Sequence, residues 1–256
     1  MQQTKRFFLE LAYDGNKYHG WQIQPNAVTV QEVLDKALSI LFRQKVETVG
    51  CGRTDTGVHA TQFFAHFDLN ISDEKALEIA TGKFHAGINA LLPHEIAIKR
   101  FIAVAPEAHA RFDATRRSYQ YNIHHHKNPF KYNYSWLLKD NLNVGHMNEA
   151  AGILLTYTDF SCFSKSNTQV FTNNCKISTA YWETTDDGLI FHITADRFLR
   201  NMVRAIVGTL IEVGKGKQSV NSIHQVIESK NRSQAGTSVP ACGLYLTEIK
   251  YPYLNA

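Results

Sequence analysis

What most restricts the fold of this chain is an alternation of two periodicities that occurs twice. Thr29-Val30-Gln31-Glu32 is a capping box, in which the Thr hydroxyl and the Glu carboxylate each satisfy a backbone donor left over at a helix start. Behind it Val30, Val33, Leu34, Ala37, Leu38 and Leu41 recur at helical spacing, which predicts a helix over 30–43. The flanking segments read as strands: 6–12, ending in the turn signal Asp14-Gly15, then 46–50, 61–68 and 95–104. A second helix starts at Ser72, where Asp73 and Glu74 suit the positive end of the helix dipole. The order is β-α-β-β-α-β, and the second half repeats it. There the pattern predicts a strand at 119–124, a helix at 146–155 and strands at 177–183 and 189–195, joined near the hairpin signal Asp187-Gly188. Helices at 197–213 and 219–229 and a closing strand at 244–251 complete it. Two split βαβ units of the ferredoxin-like kind follow, an α+β fold whose antiparallel sheets carry helices on one face and could line a common cleft with the other. The expected domains are 1–105 and 106–256, with a linker over 105–116 where Pro106 breaks the pattern.

At 256 residues and 44% hydrophobic the chain can bury a full core, which excludes a disordered protein. No run reaches the roughly 18 apolar residues of a membrane span, and the first residues, MQQTKRFFLELAYDG, lack the apolar core of a signal peptide. A cytoplasmic protein with no membrane partner is expected. Cys51, Cys162, Cys175 and Cys242 never form CxxC, so free thiols are expected and neither a disulfide framework nor a zinc knuckle. The run His124-His125-His126 has no partner at ligand spacing and reads as a solvated strand end, so no metal is expected. Cations exceed anions, 27 − 23 = +4, a modest bias toward polyanions. Two clusters carry it: Arg111, Arg116 and Arg117, then Arg197, Arg200 and Arg204, the latter at i, i+3 and i+7 of the predicted helix 197–213.

The chemistry concentrates in GCGRTDTGVHA, residues 50–60, too rich in glycine for a helix and too interrupted for a strand. Gly52 and Gly57 permit positive φ and close approach of a second segment, so the loop can present Asp55 on a pinned backbone. A structural turn in which Asp55 caps local N–H groups is the competing reading, and pattern alone leaves both open. Tyr119 and Tyr121, two apart on a strand, share a face.

GRTDTGVHA resembles the GRTDAGVHA signature of the tRNA pseudouridine synthase A family, with Thr56 in place of Ala. So do Tyr13-Asp14-Gly15, Tyr18, Gly20-Trp21-Gln22, Val30-Gln31-Glu32, Asn89, Leu92-Pro93, HARFDATRRSYQY from His109 to Tyr121, Asp159-Phe160, Phe163, Met202-Val203-Arg204, Ile206-Val207-Gly208 and Gly243-Leu244-Tyr245-Leu246, in the family's order. The resemblance implies conversion of uridine to pseudouridine at positions 38, 39 and 40 of the tRNA anticodon arm. No atoms are gained or lost in that isomerisation, so no cofactor is implied. It places the catalytic carboxylate at Asp55, acting as nucleophile at C1′ or at uracil C6, or as base toward the ribose 2′ proton. Arg204 falls where the family pairs an Arg with that Asp, Tyr119 on the active-site tyrosine, and Leu244 on the apolar residue backing the base. Arg53 falls on the residue implicated in displacing the target base. Lys17, Arg111, Arg116, Arg117, Arg197 and Arg200 are expected phosphate contacts. A homodimer with tRNA spanning both subunits is implied in the same way.

The substitution at Thr56 adds a hydroxyl beside the carboxylate, and the polar loop 166–174 is where target selection is expected to vary. Three rival readings remain: a synthase of the same fold acting at another RNA position, a non-catalytic RNA-binding module, and a glycoside hydrolase. The second would be expected to have lost Asp55, Arg204 or Tyr119, and the third usually needs two carboxylates where this motif offers one.

Overall fold

In a computed structural model of the chain the described residues are 2–165 and 172–254, so most of the expected selection loop, 166–171, lies outside them. The elements follow as β1 (Gln3–Tyr13), α1 (Val30–Phe42), β2 (Val49–Gly50), β3 (His59–Ile71), α2 (Asp73–Ala80), α3 (His85–Leu91), β4 (Ile96–Val104) and β5 (Arg116–His124). Then come β6 (Trp136–Leu137), α4 (Val144–Ile153), β7 (Ile177–Thr185), β8 (Gly188–Ala195), α5 (Met202–Gly214), α6 (Ser222–Glu228) and β9 (Leu244–Lys250). The fold is mixed α+β. It divides into two compact units, Met1–Thr115 with Leu246–Ala256, and Arg116–Tyr245.

In the first unit the sheet order is β4-β1-β3-β9, with β2 on β3. β1 pairs antiparallel with β3, placing Phe7 opposite Phe67 and Phe8 opposite His66. Because strand side chains alternate, Phe7 and Phe8 serve opposite faces. Phe7 stacks on Phe67 at 5.8 Å, and Phe42 from α1 reaches Phe67 at 6.0 Å and Phe101 at 6.2 Å. On the other face Phe8 and Phe64 meet Tyr251 at 5.1 and 5.2 Å. Each fully buried ring contributes about 1.5–3 kcal/mol. α1 starts as its sequence predicts: Thr29 is extended and its hydroxyl accepts from Glu32 N–H at 3.3 Å.

The strand expected at 46–50 shrinks to Val49–Gly50 because α1 takes its backbone donors. Val46 N–H donates to Ser39 Oγ at 3.0 Å, and Thr48 N–H to Asp35 Oδ1 at 3.0 Å. α3 has no capping side chain and no amphipathic pattern long enough to predict it. Asn89 anchors it instead, exchanging two hydrogen bonds with the Ile98 backbone at 2.8 and 3.0 Å.

The second unit has the order β5-β8-β7, with β6 beside β5. Asn148 of α4 fastens to β7 by accepting from Trp182 N–H at 2.6 Å and donating to Trp182 O at 3.1 Å. β5 begins at Arg116, three residues before the expected strand. The helix expected over 197–213 is corrected: α5 starts only at Met202. Asn201 adopts a left-handed conformation, φ 65°, which a continuous helix does not admit. Upstream, Arg197 N–H donates to Asp196 Oδ1 at 2.7 Å and Arg200 O accepts from Lys165 N–H at 3.2 Å, so that backbone is committed elsewhere. Arg197, Arg200 and Arg204 therefore share no helical stripe.

Candidate active site

Asp55 sits in the loop between β2 and β3, and the segment that follows β1 shapes that loop. Thr54 is held from two sides: its hydroxyl bonds the Tyr13 phenol at 2.9 Å, and its carbonyl accepts from Trp21 N–H at 3.4 Å. Gly20 makes the second approach possible, since it has φ +83° and a Cβ there would lie 2.3 Å from Thr54 O. Beyond Asp55 the chain turns sharply, with Val58 N–H donating to Asp55 O at 3.1 Å and Gly57 N–H to Tyr18 O at 3.4 Å. Gly15 packs flat against the far arm, where a Cβ would be 2.1 Å from Val58 O. His59, 2% exposed, completes the closure: its Nδ1 accepts from Gly15 N–H at 3.2 Å and lies 3.1 Å from Asp14 Oδ1.

Of the two glycines expected to supply positive φ, Gly57 does so at 78° and Gly52 does not; a Cβ on Gly52 would meet open space. The close approach belongs instead to Gly15 and Gly20. Asp55 itself is half-buried and Arg53 beside it is exposed. The Lys17 ammonium is paired with the Glu95 carboxylate, which is held below the usual carboxylate range by that hydrogen bond. Arg111 is exposed, its guanidinium 5.7 Å from the centre of the Phe112 ring.

In the second unit Tyr119 is half-buried and meets Phe198 edge-on at 5.1 Å. Tyr121 is fully buried, donates to Pro240 O at 2.8 Å, and has its phenol pushed above the usual range by burial. Tyr119 and Tyr121 both lie on β5 and share a face, as their spacing predicts, and along that face Tyr121 is buried while Tyr119 is only half-buried. Arg204 lies in the first turn of α5, its Nε–H donating to Val239 O at 2.7 Å. Val239 N–H returns to Arg204 O at 3.3 Å, so the 239–240 backbone fixes both the guanidinium and the Tyr121 phenol. Leu244 is 6% exposed and follows Gly243, where a Cβ would be 2.8 Å from the Tyr121 ring. Arg117 donates to Asp196 O at 2.7 Å, Arg197 is half-buried, and Arg116 and Arg200 are exposed.

Among the described residues no cluster of three His, Cys, Asp or Glu side chains could hold a metal ion, and no helix is long and apolar enough to cross a membrane. Cys51, Cys162 and Cys175 are buried and Cys242 is half-buried, none of them in a disulfide; burial raises Cys162 and Cys175 to about 12. Sequence reasoning gave no role to Tyr13, Trp21 or His59. They fell inside resembling blocks, but the blocks do not reveal that residues some forty positions apart close on one loop.

Residues 150–252 match the family described as tRNA pseudouridine synthase. The chain is similar to the tRNA pseudouridine synthase A of Bacteroides thetaiotaomicron, 51% identical over 97% of this chain and 91% of that one. It is 49% identical to that of Bacteroides fragilis, over 97% of each chain, and 48% identical to that of Parabacteroides distasonis, over 97% of this chain and 96% of that one.

Proposed function

The chain belongs to the tRNA pseudouridine synthase A family and isomerises uridine in tRNA, and from that premise we propose that Asp55 is the carboxylate that reacts. The targets are uridines at positions 38, 39 and 40 of the anticodon arm. The reaction breaks the bond between C1′ and N1, rotates the uracil, forms the bond between C1′ and C5, and moves the C5 proton to N1. Asp55 attacks C1′ or C6, or takes the ribose 2′ proton. Each route needs a fixed, ionised carboxylate within bonding reach of a flipped nucleotide. The observation that carries this reading is the pinned loop: Thr54 and Val58, on either side of Asp55, are both closed in by the segment from Tyr13 to Trp21.

Tyr119 stacks on the uracil or handles the C5 proton, Arg204 keeps the carboxylate charged, and Leu244 backs the base. Arg53 displaces the target base and fills its place. Arg111, Arg116, Arg117, Arg197 and Arg200 meet phosphates, and Lys17 does so more weakly because Glu95 already offsets its charge. Each unit is read as a ferredoxin-like one, and the enzyme as a cytoplasmic homodimer that tRNA spans.

Unmodified tRNA incubated with wild type and with Asp55→Ala, then mapped for pseudouridine by carbodiimide, tests the assignment. Product at 38–40 from wild type and none from the variant is expected; product from Asp55→Ala removes it. Light scattering on the same preparation should give twice the chain mass, and a single-chain mass removes the dimer.

A further inference from the structure

Thr54, the residue before Asp55, is tied through its side chain to Tyr13, 41 positions earlier. Tyr13 is 4% exposed, its ring 5.5 Å from Phe63 and 6.3 Å from Trp21, so its phenol is aimed by packing. That phenol meets Thr54 Oγ1 at 2.9 Å, one residue before the carboxylate. The other tie on Thr54, from Trp21 N–H to its carbonyl, is longer at 3.4 Å, and so is the Gly57 N–H bond to Tyr18 O beyond Asp55, also 3.4 Å. The hydroxyl pair is thus the shortest of these three ties between the Asp55 loop and the segment from Tyr13 to Trp21. Tyr13 is also fixed by its place in the sheet, as the last residue of β1, opposite Ala60 of β3.

We propose that Tyr13 is a positioning residue for the reaction, its hydroxyl holding Thr54 and through it the peptide that sets where the Asp55 carboxylate points. This rests on the reading of Asp55 as the reacting group. Reacting atoms must lie within a few tenths of an ångström of productive geometry, so a small loosening of this peptide lowers the rate of the chemical step while leaving RNA affinity, which comes from phosphate contacts, intact. The fold itself keeps its aromatic packing when only the phenol oxygen is removed.

The test is a double-mutant cycle with Tyr13→Phe, Thr54→Val and the two combined, together with Thr54→Ser, which keeps the hydroxyl. Single-turnover rates of pseudouridine formation on unmodified tRNA are read beside tRNA Kd and the unfolding midpoint. Tyr13→Phe and Thr54→Val should each slow the reaction about tenfold with Kd within about twofold. The combined variant should be no slower than either alone, and Thr54→Ser should stay within about twofold of wild type. Wild-type rates in Tyr13→Phe, losses that multiply in the combined variant, or a fall confined to Kd or to the unfolding midpoint each overturn the proposal. Asp55→Ala runs alongside. If that variant still forms product, the reading of Asp55 fails; if it is inactive while Tyr13→Phe is unimpaired, only the positioning role fails.

Discussion

A single methyl group at Gly15 should be enough to open the Asp55 loop, because the atom it meets is not a movable side chain. Its Cβ would stand 2.1 Å from the Val58 carbonyl oxygen, and that backbone is fixed two residues later by the start of the β3 ladder at Ala60. Overpacking against backbone costs about 1–3 kcal/mol. Gly52, in the same signature, has no atom within 4 Å of its Cβ position and no positive φ, so alanine there should change stability by less than about 0.5 kcal/mol. Urea unfolding of Gly15→Ala and Gly52→Ala compares the two directly, and equal midpoints would sink the claim that close approach rather than loop flexibility requires glycine. What the sequence showed at this scale was local: a framed carboxylate, and Gly57 in its turn. Which of the other glycines mattered was invisible, since the atoms they make room for belong to a distant segment.

Side chains of one element can take over the backbone of the next, and Asp35 on α1 does this to the stretch before β2. Its Oδ1 accepts from both Thr48 N–H at 3.0 Å and Thr48 Oγ1 at 2.6 Å. Those bonds favour the charged carboxylate, but burial outweighs them and raises its pKa from 3.8 to about 6. The sign follows from linkage. The folded state holds the proton more tightly than the unfolded one, so this contribution to stability is complete below about 3.8 and is lost as pH rises through about 6. Asp35→Asn keeps an oxygen to accept both bonds and removes the charge. It should be at least as stable as wild type at pH 8, and that advantage should vanish as pH falls toward 4; urea midpoints across this range would contradict the account if the difference grew on acidification. Elements with long patterns, α1 and the strands of both units, were legible in the sequence. The shortened β2 and the late start of α5 were not, because Asp35, Ser39 and the left-handed Asn201 act through hydrogen bonds and a dihedral angle that hydrophobic spacing does not encode.

Across the whole molecule the excess of cations is small, 27 − 23 = +4, so tRNA affinity must depend on which of them are available rather than on their sum. The chain leaves its first unit at Thr115 and re-enters it at Leu246, and neither crossing alters the composition that a sequence reader sees. What composition also hides is pairing. Lys17 shares its charge with Glu95, whereas Arg53 is an exposed side chain that the same proposal assigns to the RNA. Neutralising one phosphate releases condensed counterions, so each true contact steepens the fall of log K with log salt by close to one unit. Arg53→Ala should lower that slope by about one and weaken different tRNAs alike. Lys17→Ala should lower it by less than half as much, because Glu95 must be displaced before the ammonium can meet a phosphate. Filter binding between about 50 and 200 mM KCl reads both slopes. A Lys17→Ala slope change as large as that of Arg53→Ala would mean that the Glu95 pair opens completely on binding, and that cations of this surface cannot be ranked by their partners in the free protein.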